Sequence, residues 1–167
     1  ELKDYHDYFK ELQKLKGETI LLSPDANQTI YNTVGEHNTL HIAPSPVQLL
    51  KAVKNETELE GFRKAMVKDG VALVNFFYWL ENNIGKTPFT EHSLGDVMDK
   101  FRAEQGFLAN SFGKIIGYEG NGAIVHYHAA TNPEVPMHAK GTVLIDSGAH
   151  YIEGTTDITR VIPLGEF

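Results

Sequence analysis

From Leu59 to Leu80 the apolar side chains return every third or fourth residue. Leu59, Phe62, Met66, Leu73, Phe77 and Leu80 form the stripe, and Val74 and Phe76 widen it. That period marks an amphipathic helix, and its apolar face requires a cover. Gly70 costs about 1 kcal/mol inside such a helix, which the apolar face offsets. Gly85 and Pro88 stop it. A second helix follows, with Leu94, Val97, Met98 and Phe101 at i, i+3, i+4 and i+7, and with Thr90 or Ser93 as its cap. Beyond Gly106 the texture changes. Residues 112–116, 123–127, 142–146 and 155–162 read as strands, punctuated by Gly113, Gly117, Gly120, Gly122, Gly141, Gly148 and Gly154. Helices first and strands in a block predict an α+β fold.

Residues 1–45 read as a smaller α/β unit. Tyr5 to Lys16 suits a short helix ended by Gly17, and Thr19 to Leu22 a strand broken by Ser23-Pro24-Asp25. Gln28 to Val34 suits a second helix, and Leu40 to Ile42 another strand. Pro44-Ser45-Pro46 marks the expected boundary, since proline restricts helix and sheet alike. This divides the chain into 1–45, the end of a preceding non-catalytic domain, and 46–167, part of a catalytic one.

A net charge of −7 disfavours non-specific nucleic-acid binding, which needs a positive surface. There is no cysteine, which excludes disulfides, thiolate metal sites and a Cys nucleophile, and fits a cytoplasmic location. No apolar run approaches the roughly 20 residues that span a bilayer. The chain opens at Glu1 without Met or a signal-peptide pattern and stops at Phe167, so both ends are expected to be cuts in a longer protein.

Chemistry concentrates in the strand-rich part. In Val143-Leu144-Ile145-Asp146-Ser147-Gly148 a carboxylate ends an apolar strand. In Gly154-Thr155-Thr156-Asp157-Ile158-Thr159-Arg160 another sits in a Thr-rich strand. If Tyr151 to Gly154 makes a hairpin turn, Asp146 and Asp157 lie on neighbouring strands, opposite or one step diagonal. Carboxylates that close repel unless a cation lies between them, and a divalent metal is the natural occupant. Thr159 shares a face with Asp157 by the period of two and can orient a ligand carboxylate. Oxygen donors without Cys point to Mn, Mg or a mixed carboxylate–imidazole site. An Asp at a strand end is, however, more often simply solvated or capping a turn. His126 follows Gly122-Ala123-Ile124-Val125, and His128, His138 and His150 lie nearby in sequence. Gly120-Asn121-Gly122 lacks the Gly-Lys-Ser/Thr of a phosphate loop, and no Gly-x-Ser-x-Gly elbow is present.

At these residues the sequence resembles the pita-bread metallopeptidases, most closely the aminopeptidase P branch (Xaa-Pro aminopeptidases). The likeness is carried by Lys51-Ala52-Val53-Lys54-Asn55, Asn121-Gly122-Ala123-Ile124-Val125-His126-Tyr127, Leu144-Ile145-Asp146-Ser147-Gly148 and Gly154-Thr155-Thr156-Asp157-Ile158-Thr159-Arg160. The resemblance implies the first half of a pita-bread catalytic domain, with long helices on an antiparallel sheet. It makes Asp146 and Asp157 metal ligands, Asp157 the bridging one, and His126 the catalytic histidine that binds substrate and shuttles a proton. It makes Phe112 an aromatic wall and Thr159 a hydroxyl behind the ligands. It implies two divalent ions, usually Mn, and a peptide substrate with proline at the second position. The family takes its remaining ligands, one His and two Glu, from a later part of the fold, so this chain alone is expected to be inactive. Prolidase, methionine aminopeptidase and a non-catalytic peptide- or protein-binding relative of the same fold are the alternatives. Half of a two-part fold is expected to leave an apolar face for another chain, and the full-length protein is expected to be a homodimer without nucleic-acid or membrane partners.

Overall fold

The computed structural model describes residues 2–129 and 135–165. The chain divides into two compact units, residues 1–54 and 55–167.

In the first unit a 3-10 turn, Tyr5–Asp7, leads into α1 (Tyr8–Leu12). The helix is shorter than the expected Tyr5 to Lys16. It buries no side chain, and a short helix without packing is marginal in water. β1 (Thr19–Leu22) and β2 (Thr39–Ile42) pair in parallel, Thr19 opposite Thr39. Parallel strands need a crossover, and α2 (Gln28–Gly35) supplies it, capped by Asn27. Pro44-Ser45-Pro46 does not run on as a linker. Ser45 caps α3 (Pro46–Ala52), and Pro46 takes the first turn, where its missing N–H costs nothing.

The second unit opens with α4 (Glu56–Asn83). Asn55 and Glu58 form a reciprocal capping box, each side chain accepting from the other's backbone N–H at 2.9 and 2.8 Å. Ile84 closes the helix and Gly85 follows at φ +79°. The buried face runs through Ala65, Asp69, Ala72, Leu73, Phe76 and Leu80. Met66 and Val74, expected in the stripe, are exposed instead. Leu73 and Leu80 of the expected stripe are buried, and Ala65, Ala72 and Phe76 take the places beside them, with Ala65 packed against Ala149 and Tyr151. After β3 (Phe89–Thr90), α5 (Glu91–Ala103) begins at Thr90, whose side chain caps it with Ser93.

The remaining strands are β4 (Ala109–Asn110), β5 (Ile115–Tyr118), β6 (Pro136–Met137), β7 (Thr142–Ser147), β8 (Ala149–Tyr151), β9 (Gly154–Thr155) and β10 (Ile158–Pro163). β7 is the centre of an antiparallel sheet in the order β10-β7-β5. It alternates as half-buried strands do, with Val143, Ile145 and Ser147 inward and Leu144 and Asp146 on the other face. Phe76, Leu80, Leu94, Met98, Ile116, Val143 and Ile145 belong to one core. Each large apolar side chain buried there contributes about 1.5–3 kcal/mol. This is the expected α+β class.

Two expected strands differ. The segment 112–116 is displaced, and the strand runs Ile115–Tyr118. The segment 123–127 is not a strand: a 3-10 helix covers Glu119–Ala123, and a turn places His126 at φ +52°. The cause is Glu91, buried at the start of α5. It accepts from Tyr118 N (2.7 Å), Asn121 Nδ2 (3.0 Å) and Tyr127 Oη (2.7 Å). These bonds fold the segment back rather than leaving it to pair with a strand. The strand expected over 155–162 is split at Thr156 and Asp157.

Candidate metal centre

The hairpin expected at Tyr151 to Gly154 is present. Tyr151 pairs with Gly154 and His150 with Thr155. The register runs on without a slip. Thr156 N donates to Ala149 O at 2.9 Å, Ile158 faces Ser147, and Thr159 faces Asp146. Asp157 therefore stands across from Gly148. Asp146 and Asp157 take the diagonal arrangement, for which the general separation is about 7–8 Å between Cα atoms. Asp157 precedes Thr159 by two residues and shares its face. Asp146 is half-buried and Asp157 exposed.

Thr159 Oγ1 donates to Asp146 Oδ1 at 2.8 Å and fixes the rotamer of that carboxylate. Among the described residues neither Asp146 nor Asp157 is paired with a Lys, Arg or His. Two unneutralised carboxylates on one face of a hairpin, with no cysteine in the chain, form a hard-oxygen donor set that suits Mn or Mg. Among the described residues no group of three or more His, Asp or Glu gathers around one point, so this chain offers a pair rather than a closed cage.

Gly148 lets the two strands approach between the aspartates. A Cβ there would lie 2.1 Å from Thr156 O, 2.2 Å from Ser111 Oγ and 3.0 Å from Phe112 Cε1. Any side chain would force the hairpin off its neighbours. Phe112 is thus placed beside the hairpin, in a bend and half-buried. His126 is exposed and does not join the aspartates in a three-ligand group. Its loop is tied down next door, where Tyr127 Oη donates to Glu91. That bond above all, with burial and the Glu91 charge, pushes the Tyr127 phenol up to about 12. His128 is exposed, and His150 Nδ1 lies 2.8 Å from Thr155 Oγ1.

Behind the aspartates lies a group that sequence reasoning missed. Asp69 and Arg102 are fully buried and paired, Nε to Oδ1 at 2.7 Å and Nη2 to Oδ2 at 3.1 Å. Tyr151 Oη and Thr156 Oγ1 donate to the same carboxylate at 3.1 and 2.6 Å. Burial, then the Asp69 charge and hydrogen bond, push the Tyr151 phenol well above its usual range. Arg102 also donates to Ser147 Oγ at 3.1 Å and Gly148 O at 3.4 Å. The one available signal was an acid at helical spacing between Ala65 and Ala72.

Helices thus lie on an antiparallel sheet, and its hairpin carries the aspartate pair. Residues 60–167 match the model of Metallopeptidase family M24, and the chain belongs to that family. Residues 1–58 match the Creatinase/Prolidase N-terminal domain. Among curated relatives, Xaa-Pro aminopeptidase 1 of Dictyostelium discoideum is 37% identical over 96% of this chain and 26% of its own length. A probable Xaa-Pro aminopeptidase P of Sordaria macrospora is 36% identical over 99% of this chain and 29% of its own. The crystal structure of X-prolyl aminopeptidase from Caenorhabditis elegans, described as a cytosolic enzyme with a di-nuclear active site, superposes with TM-score 0.87. It is 30% identical and aligns over 97% of this chain and 28% of its own. Prolidase from Pyrococcus furiosus, 20% identical with TM-score 0.76 over 99% of this chain and 47% of its own, shares the fold. The chain thus spans between a quarter and a third of the length of the curated relatives described here.

Proposed function

We propose that the full-length protein is a metal-dependent Xaa-Pro aminopeptidase that removes an N-terminal residue preceding proline. The observation that carries this reading is the Asp146–Asp157 pair, held on one hairpin face with Thr159 inside the segment that matches the M24 family. Asp146 and Asp157 would hold divalent ions, two of them and manganese on this reading, as hard oxygen donors. The C. elegans relative, described as having a di-nuclear active site, supports the pair. Bound ions of this kind activate water and polarise a peptide carbonyl. Thr159 keeps the Asp146 carboxylate turned to its task. His126, exposed on its tied loop, binds substrate and carries a proton, and Phe112 forms an apolar wall. Residues 1–45 supply the end of a non-catalytic domain, and 46–167 part of the catalytic one.

Full-length protein with Mn2+ is expected to cleave an Xaa-Pro-Xaa tripeptide at least about tenfold better in kcat/KM than an Xaa-Pro dipeptide or a Met-Ala-Xaa peptide, a ratio within reach of binding discrimination. Preference for the dipeptide would make it a prolidase, and preference for the Met peptide a methionine aminopeptidase. No cleavage of any of them would leave a binding module.

The same reading gives a cytoplasmic homodimer. The C. elegans relative is described as cytosolic. Val67, Val71, Val74 and Tyr78 make an exposed apolar stripe on α4 that another polypeptide can cover. Light scattering of the full-length protein is expected to give twice the chain mass, and a monomer would remove the homodimer.

A further inference from the structure

We propose that the buried Asp69–Arg102 pair is a positioning device for the metal ligands, acting through Ser147 and Thr156. The proposal rests on the reading of Asp146 and Asp157 as ligands. Ser147 directly follows Asp146, and Thr156 directly precedes Asp157. In an extended chain neighbouring side chains point to opposite faces. Each aspartate that faces outward is therefore backed by a residue that faces inward, and both inward residues are held by the same pair. Thr156 Oγ1 donates to Asp69 Oδ2 at 2.6 Å, and Arg102 Nη2 donates to Ser147 Oγ at 3.1 Å. Ser147 is fully buried and Thr156 is 2% exposed, so water does not compete for these bonds.

The chemistry of the pair favours this role over mere cohesion. A buried ion pair gains little net stability over apolar side chains of the same volume. What a bidentate guanidinium–carboxylate pair does provide is fixed direction. Asp69 comes from α4 and Arg102 from α5, so the two helices set the spacing of the strand positions that carry Asp146 and Asp157. Partners behind metal ligands typically change metal affinity by about 10–100-fold when removed.

The test is a calorimetric titration of chelator-stripped full-length protein with Mn2+, beside the melting temperature of the same metal-free samples. Thr156→Val removes the hydroxyl and keeps the side chain's shape. It is expected to weaken Mn2+ binding by about 10–100-fold. Thr156→Ser, which keeps the hydroxyl, is expected to restore wild-type affinity, and Ser147→Ala to weaken binding in the same direction. Wild-type Mn2+ affinity in Thr156→Val and Ser147→Ala would overturn the proposal, even with a lowered melting temperature, because that is the mark of a purely structural role. Asp157→Asn in the same titration separates the two readings. It is expected to abolish tight binding. If it binds Mn2+ as the wild type does, the ligand assignment falls and this proposal with it. If Asp157→Asn loses binding while Thr156→Val does not, only this proposal falls.

Discussion

Asp157→Ala in the full-length protein is expected to lower kcat/KM for an Xaa-Pro-Xaa peptide by about 1,000-fold or more, while leaving the fold intact. Metal-supplied charge stabilisation in a transition state is worth several kcal/mol, and about 4 kcal/mol corresponds to a thousandfold in rate. The stability side points the other way. Asp157 is exposed and makes no ion pair among the described residues, so its removal orphans no buried partner. Surface substitutions of that kind usually fall within about 0.5 kcal/mol. Steady-state kinetics and a melting curve on the same samples check both halves. A variant that keeps wild-type activity, or one that loses activity only by unfolding, contradicts the assignment.

The opposite profile is expected at Asp69. Asp69→Ala leaves the Arg102 guanidinium buried without a counter-charge, and it removes the acceptor of Tyr151 Oη and Thr156 Oγ1. Breaking a buried pair by deleting one partner costs about 3–5 kcal/mol. That is a large share of the roughly 5–15 kcal/mol that holds a domain together. Denaturant unfolding of the variant is expected to show a loss of that size. A loss below about 1 kcal/mol would mean that water or another group reaches Arg102, and the network would lose its importance. The two aspartates thus separate by burial: one is exposed and expected to act in chemistry, the other is sealed and expected to hold the frame.

Much of this frame was legible in the sequence, and the gaps have physical reasons. α4 and α5 were visible because large apolar residues recur at helical spacing. The hairpin was visible because Tyr151 to Gly154 separates two carboxylate-bearing strands. The exposure of Met66 and Val74 was not visible, because Ala65 and Ala72, too small to mark a stripe, are buried beside Leu73, Phe76 and Leu80. Asp69 was hidden by the same fact: an acid on a helix face reads as solvated unless its partner is known. Ile124 and Val125 are β-branched, a preference that favours strand. They are 54% and 84% exposed, and the bonds of Asn121 and Tyr127 to Glu91 decide that segment instead. At the site, the sequence identified Asp146 and Asp157 as a pair but not the group that backs them. Asp69 and Arg102 are close only in the folded chain.

Asp146 and Asp157 are proposed to hold divalent metal together. Anomalous scattering at the manganese edge, from crystals of the full-length protein grown with Mn2+, tests it most directly. Two peaks about 3.5–4 Å apart are expected beside the carboxylates of Asp146 and Asp157. Manganese bound elsewhere, with both carboxylates left in solvent, would contradict it.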